Sequence, residues 1–261
     1  MINKIGVLCT YSFPEGMAPT IRILSYGQGL VENGVKVEVV IFQPKAIDDS
    51  YPLSGYANGV KYTYSHKRDS KKSKFHKILI DRPLSLINAV RVLLRSNKEQ
   101  KFDYILLSFD HPLYLVFFAP VLRLSGFHLG FIGDEFPEPI RKLKEKIPFY
   151  YKCAYKFAYQ FISFRVLMTE ALKDFYDKEI CEKPTHILCS ILNTERFVGI
   201  SKRNVPHKYI CYMGNMMLAK DNVDNIIRAF KKVSDYFPDI DLYLYGTPNE
   251  KDKSIVMKLI F

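Results

Sequence analysis

The chain of 261 residues has no tryptophan and no Asn-x-Ser/Thr sequence, and its five cysteines (Cys9, Cys153, Cys181, Cys189, Cys211) include no CxxC pair. An odd, unpatterned set of thiols excludes a disulfide framework and a zinc ribbon, and it reads as reduced cysteine used for packing in a cytosolic protein. Uncharged runs such as "HPLYLVFFAPVL" fall short of the roughly 18 apolar residues that a membrane span needs. The opening "IGVLCTYSF" is too short for the apolar part of a signal peptide, and Leu8 stands before Cys9 where a lipoprotein signal carries a small residue. Secretion and lipidation are not expected. GxGxxG, P-loop, HExxH and GxSxG patterns are missing, as is any cysteine and histidine spacing suited to a metal.

What the chain does have is a globular composition, with 48% hydrophobic and 25% charged residues and with 19 Phe and 18 Tyr to fill a core. The net charge is +11, unevenly spread: twelve Lys or Arg face three acids between Lys61 and Lys101. Such a patch suits anionic lipid, nucleic acid, or water alone. No RNP, zinc-finger or basic-zipper signature accompanies it, so nucleic acid is not expected.

Apolar runs bounded by turns alternate with stretches of helical period, which predicts an α/β protein with a parallel sheet covered by helices. "KIGVLCTY", "VKVEVVIF", "VKYTYS", "YILLSF", "HLGFI", "RVLMT" and "THILCS" read as its strands. Helices are expected over Pro19 to Asn33 with Ile21, Leu24, Gly27 and Leu30 near one face, from about His76 to Lys101, from His111 to Gly126, up to about Ser163, and after Thr169 as N-cap. Ile191 to Pro206 reads as a connection. A new unit then opens with "KYICYM", a helix over Asp221 to Phe237, "IDLYLY" and a last helical piece. Two strands and their helices cannot cover both faces of a parallel sheet, so residues 1–205 are expected to form an N-terminal Rossmann-like domain and residues 206–261 only the beginning of a second one.

Two stretches carry a family resemblance. "SFPEGMAPTIRILSYGQGLVENGVKVEVV" and "YICYMGNMMLAKDNVDNIIRAFKKVSDYFPDIDLYLYG" resemble the opening segments of the N-terminal and C-terminal domains of family 4 glycosyltransferases of GT-B fold. In the first, a glycine-bearing corner is followed by an arginine on the next helix and by a turn, Asn33-Gly34-Val35, into the second strand. In the second, Gly214, Lys220, Val223, Asp224, Ala229, Phe230, Pro238, Leu242 and Gly246 fit the family's domain-opening pattern. The resemblance implies a cytoplasmic enzyme; a peripheral place at the inner membrane face is an alternative that rests on the basic 61–101 region and the apolar stretch 148–164. The enzyme would move a sugar from a nucleotide-diphosphate donor to a saccharide or lipid-linked acceptor, with retention and with no cofactor beyond the nucleotide sugar. The family's paired-glutamate motif would lie after Phe261, so the resemblance also implies truncation within the donor domain.

On the donor side, Gly214, Asn215 and Lys220 would hold the diphosphate. A fixed cation there lowers the barrier to leaving-group departure by about 3 kcal/mol if it acts like an oxyanion-hole donor. Asn215 stands where the family has a second cation. On the acceptor side, Glu15, Gly16, Met17 and Arg22 form the first corner. Gly16 would let backbone N–H groups come close to a ligand oxygen, and Glu15 would repel phosphate but accept from hydroxyls, so a sugar suits this corner better than a diphosphate. "GDEFPEP" is the facing wall, because ligands of open α/β sheets sit beyond the carboxyl ends of strands. Asp134 and Glu135 are its candidate catalytic residues, with Glu138 and His111 as further acceptor contacts. An acidic helix start is also a common structural feature.

Asp239-Ile240-Asp241 spells DxD but precedes a strand, so it reads as a surface turn and no metal is expected. "PFYYKCAYKFAYQFISF" is apolar except for Lys152, Lys156 and Gln160 at i, i+4 and i+8. It reads as a buried helix with one wet edge or, with the basic 61–101 region, as a seat on an anionic membrane. Two rival functions stay open: an inactive fragment that binds sugar or anionic membrane, and a dinucleotide-dependent enzyme.

Overall fold

The structure, a computed structural model, describes residues 2–42, 52–67, 74–141, 146–191, 193–200 and 207–260. The chain divides into two compact units, Met1–Thr194 and Glu195–Phe261. Expectation placed the division at residue 205.

The first unit is a parallel sheet covered by helices. Its elements run β1 (Lys4–Cys9), α1 (Ala18–Glu32), β2 (Lys36–Ile41), β3 (Ser54–Ala57), β4 (Val60–Tyr64), α2 (Lys74–His76), a π-helical turn Lys77–Asp81, α3 (Arg82–Glu99), β5 (Tyr104–Ser108) and α4 (Pro112–Leu124). They continue through β6 (Leu129–Gly133), α5 (Glu138–Arg141), α6 (Phe149–Tyr159), β7 (Phe164–Leu167), α7 (Glu170–Glu179) and β8 (Thr185–Ile187). The strand order is β3-β4-β2-β1-β5-β6-β7-β8, with every pairing parallel except β3 with β4. Strands of a parallel sheet are covered on both faces, which is why β1 and β6 are buried along their whole length and are apolar except for Lys4, whose ammonium is held by Ser96 and Glu38.

The antiparallel edge strand β3 is absent from the sequence-based expectation. It turns into β4 through Asn58 and Gly59, both at positive φ (48° and 77°), the conformation of a tight hairpin turn. An Asn-Gly pair between strand-like runs is the local signal for it.

One core lies beneath α3, α4, α6 and α7 and is dense in aromatic rings, with Phe42, Phe109, Phe118, Phe131, Tyr155, Tyr159 and Tyr176 all buried. A second lies beneath α1 and joins Val7, Cys9, Phe13, Ile23, Val39, Ile41, Val60 and Tyr62. The face that α1 buries is set by Thr20, Ile23 and Gly27; Ile21, expected in the core, is 39% exposed. Gly27 is required by contact, since a Cβ there would meet Val60 Cγ2 at 2.7 Å. Thr169 caps α7 as expected, its hydroxyl accepting from the Leu172 N–H at 3.2 Å.

Helix α6 is half buried through Tyr151, Tyr155, Ala158 and Tyr159. Its outer side carries Phe149, Tyr150 and Phe157 as well as Lys156, so the wet edge is broader and more aromatic than the expected narrow polar line. The lysine-rich loop falls mainly on 68–73, outside the described residues.

The second unit pairs two parallel strands, β9 (Lys208–Met213) and β10 (Ile240–Tyr245), with α8 (Leu218–Asp221), α9 (Val223–Val233) and α10 (Glu250–Ile260). The helix expected over Asp221 to Phe237 is broken: Asn222 takes a left-handed conformation (φ 50°) between α8 and α9, and α9 stops at Val233. Met216, Val223, Ile227 and Val256 form the small core. The other strand face leaves Tyr209, Met213 and Tyr245 exposed. Asp239 precedes β10, as the surface-turn reading has it.

Candidate functional site

In the first unit the chain leaves β1 for β2 on one side and has β5 on the other, so the strand order reverses between β1 and β5. Ligands of open α/β sheets bind beyond the carboxyl ends of strands at such a point. The residues found there are Thr10 to Met17 after β1, Phe109 to His111 after β5, Asp134 to Phe136 after β6, and Met168 after β7. Tyr11 bridges the two sides of the reversal, its hydroxyl donating to the Ser108 carbonyl at 2.7 Å and lying against the Ser108 hydroxyl. Burial raises the Tyr11 pKa, so the phenol stays protonated and serves as a fixed strut. Burial likewise pushes the neighbouring Cys9 thiol up to about 12, which removes it as a nucleophile.

Arg22 is the central finding. One turn into α1, it is only 7% exposed, and its guanidinium reaches across the sheet end. Nη2 meets Asp134 Oδ2 as an ion pair, and Nη1 points at the Met168 sulfur 3.0 Å away. Arg22, expected at the first corner, faces the end of β6 and is buried. Burial lowers the Arg22 pKa, opposed by the electrostatic pull of Tyr11, Tyr26 and Glu135. Arginine stays charged at any ordinary pH, so this direction measures the cost of holding the cation here. Arg22 Nε and Asp134 Oδ1 have no hydrogen-bond partner, and Arg22 Nη2 has none beyond its ion pair with Asp134.

A second pair lies beside the first. Arg141, closing α5, donates from Nη1 to Glu135 Oε2 at 2.8 Å, from Nη2 to Asp110 Oδ2 at 2.9 Å and from Nε to the Phe136 carbonyl at 2.8 Å. Burial would lower the Arg141 pKa, but Asp110 and Glu135 outweigh it and the net shift is upward. Tyr155 on α6 donates to the Asp110 carbonyl from below. The loop after β6 is thereby fastened to the loop after β5.

The structure brings Arg22, Asp134 and Glu135 together and places Glu138 at the start of α5 on the same rim. His111 precedes α4, accepts through its carbonyl from Tyr114 and Leu115, and stacks its exposed ring on Tyr114 at 4.9 Å. Glu15, Gly16 and Met17 are exposed in the first corner. The smallness of Gly16 serves the turn itself: a Cβ would strike Thr20 Oγ1 and lie 2.9 Å from the Ser12 carbonyl, which Thr20 binds at 2.7 Å. Sequence reasoning missed Tyr11, Ser108, Asp110, Arg141 and Met168. The first three and Met168 sit at strand ends and were open to the same rule that found Asp134. Arg141 lies outside that rule.

In the second unit the turn after β9 is closed by its own contacts. Gly214 N–H donates to the Tyr245 carbonyl at 2.9 Å, and Met216, at φ 50°, donates to the Tyr212 hydroxyl at 3.3 Å. The Met217 and Leu218 N–H groups, which head α8, donate to Asp221 and Asp252 carboxylates at 3.2 Å each. Asn215 is exposed, and Lys220 lies in α8 with its side chain outside the described residues. Among the described residues no cluster of three or more His, Cys, Asp or Glu could hold a metal, and no helix is long and apolar enough to cross a membrane.

No protein-family model matches the chain, and no curated protein matches it. Solved structures do. Sucrose-phosphate synthase (tll1590) from Thermosynechococcus elongatus superposes with a TM-score of 0.68 at 11% identity, over 99% of this chain and 66% of that one. WaaG, a glycosyltransferase involved in lipopolysaccharide biosynthesis, gives 0.57 at 13% identity, over 97% and 67%. UDP-GlcNAc 2-epimerase from Neisseria meningitidis bound to UDP-GlcNAc gives 0.54 at 11% identity, over 99% and 70%. The chain therefore spans about two thirds of the length of these neighbours. At such identities the likeness establishes the fold, an α/β architecture of GT-B type.

Proposed function

We propose that the protein is a glycosyltransferase that uses a nucleotide-diphosphate sugar, with the first unit holding the acceptor and the second the donor. The observation that carries this reading is the buried Arg22–Asp134 pair at the strand reversal of a GT-B-type fold, where a ligand is expected and where buried polar atoms of both residues still lack hydrogen-bond partners. In the proposed reaction the acceptor oxygen bonds to the anomeric carbon as the bond to the diphosphate oxygen breaks. The acceptor proton passes to the departing diphosphate, and the anomeric configuration is kept. Asp134 would orient the acceptor hydroxyl, with Glu135 and Glu138 lining its approach. Gly214, Asn215 and Lys220 would face the donor phosphates, with no metal or other cofactor.

The test is incubation with a panel of nucleotide sugars and simple saccharides, with release of nucleoside diphosphate and the product's anomeric coupling read by NMR, with and without a chelator. Transfer with retention that survives chelation is expected. Inversion at C2 of free UDP-GlcNAc would assign the chain to epimerase chemistry instead, and binding of NAD with no binding of any nucleotide sugar would sink the proposal.

A second reading concerns location. The segment 74–99 shows Phe75, Ile78, Leu79, Ile80, Leu84 and Ile87 to solvent within the most basic part of the chain, and α6 adds Phe149 and Tyr150. Apolar side chains set among cations suit the interface of an anionic membrane. We propose peripheral attachment there, which would bring lipid-linked acceptors to the enzyme. Equal co-sedimentation with neutral and with phosphatidylglycerol-containing vesicles would refute it.

A further inference from the structure

Apart from Arg22 Nη2, which is ion-paired with Asp134 Oδ2, the pair leaves one unpartnered buried atom on each of its members: a donor, Arg22 Nε, and an acceptor, Asp134 Oδ1. An anion would satisfy only the first, and a cation only the second. A hydroxyl satisfies both kinds, because its oxygen accepts while its proton is donated. The charge on the rim bears on the same choice. The described residues of the loops after β1, β5 and β6 and of α5 carry five carboxylates, Glu15, Asp110, Asp134, Glu135 and Glu138, against the guanidinium groups of Arg141 and of Arg22 on α1. Arg82, at the start of α3, acts on Tyr114 beyond this rim. In a chain of net charge +11 this is a local reversal of sign, and the positive excess lies in the 61–101 stretch. Like charges brought together at a binding surface exclude a partner more effectively than opposite charges improve one.

We infer that the crevice accepts a sugar presented by uncharged hydroxyl groups and rejects sugars that carry a phosphate or carboxylate near the bound face. The inference rests on the reading of the first unit as the acceptor side and narrows the acceptor class. Arg22 then donates from Nε to the bound hydroxyl while its ion pair holds Asp134 beside it, and its cation does not serve an anionic ligand.

The experiment uses the full chain and saturation-transfer NMR with methyl α-glucoside, N-acetylglucosamine, glucuronate and glucose 6-phosphate, without nucleotide. The first two are expected to receive saturation, and the two acids to bind at least about tenfold more weakly. Asp134→Asn should lower binding of methyl α-glucoside by about tenfold, since it exchanges a charged acceptor for a neutral amide. Glu135→Gln, at a position 47% exposed and with the amide oxygen able to accept from Arg141, should narrow the gap between neutral and acidic sugars. The inference is overturned if the acids bind as well as the neutral sugars, or if Glu135→Gln leaves the gap unchanged. It also falls if no sugar receives saturation or a folded Asp134→Asn binds sugar undiminished, either of which would give the hydroxyl to water. Failure of the glycosyl-transfer reading shows elsewhere, in the absence of nucleotide-sugar binding, which this sugar-only measurement does not use.

Discussion

Replacing either member of the Arg22–Asp134 pair tests whether the pair organises the first unit. Arg22 is 7% exposed and the Asp134 side chain 18%, so the two substitutions are not equivalent. Asp134→Asn strands a buried cation; breaking a buried pair from one side costs about 3–5 kcal/mol, and the partial exposure of Asp134 together with the residual amide dipole reduces this to about 2–3 kcal/mol. Arg22→Met leaves a carboxylate with Oδ1 buried but with the side chain as a whole 18% exposed, and is expected to cost about 1–2 kcal/mol. In the double variant neither charge is left alone. Its cost should fall below the sum of the single costs by more than about 1 kcal/mol, well outside the roughly 0.5 kcal/mol scatter of independent sites. Calorimetric unfolding of the four proteins reads this out in the transition of the first unit, where each kcal/mol moves the midpoint by about 2–4 °C at this size. Additive costs, or an Arg22→Met variant more damaging than Asp134→Asn, would refute the claim that charge pairing holds Arg22 in place.

Three further outcomes are expected. Burial by itself would raise the Asp177 pKa, but hydrogen bonds from the fully buried Arg165 and from Lys173 outweigh it and the net shift is downward. A carboxylate lowered in the folded state contributes stability that is complete above its unfolded value of 3.8 and is lost as pH falls through the lower folded value, so Asp177→Asn should destabilise the chain at neutral pH and flatten its acid unfolding limb, as midpoint against pH would show. At Gly246, φ is 146° and a Cβ would overlap the Gly214 carbonyl oxygen, so Gly246→Ala should abolish protease resistance of the second unit while the first unit's fragment persists on a gel. Lys220→Ala should lower donor turnover by about tenfold or more if this lysine faces the diphosphate, and an unchanged rate would place it outside the site.

Periodicity and punctuation were enough to read the layered α/β order of the first unit, because strands buried on both faces are mostly apolar, with Lys4, Glu38 and Arg165 as ion-paired exceptions, and the longer helices start at a proline or a capping hydroxyl. The same logic located the rim. Asp134, Glu135, Glu138 and His111 follow strands, and a residue that follows a strand of a parallel sheet stands at its carboxyl end whatever the rest of the chain does. The break at Asn222 was harder to see, since a left-handed residue inside a helical pattern is decided by the close turn beside it.

Which charges meet was beyond the sequence. Arg22 and Asp134 are far apart along the chain and belong to elements separated by β5, and only the strand order β1-β5-β6 carries α1 over the end of β6. Arg141 reaches Asp110 and Glu135 for the same reason, from a four-residue helix whose periodicity is too brief to register. The amino-acid sequence alone thus determined the layers and the set of residues at the strand ends, because both follow from local apolar pattern. Tertiary structure alone decided that Arg22 is buried against Asp134 with a donor and an acceptor left over, because burial and pairing depend on which strands become neighbours.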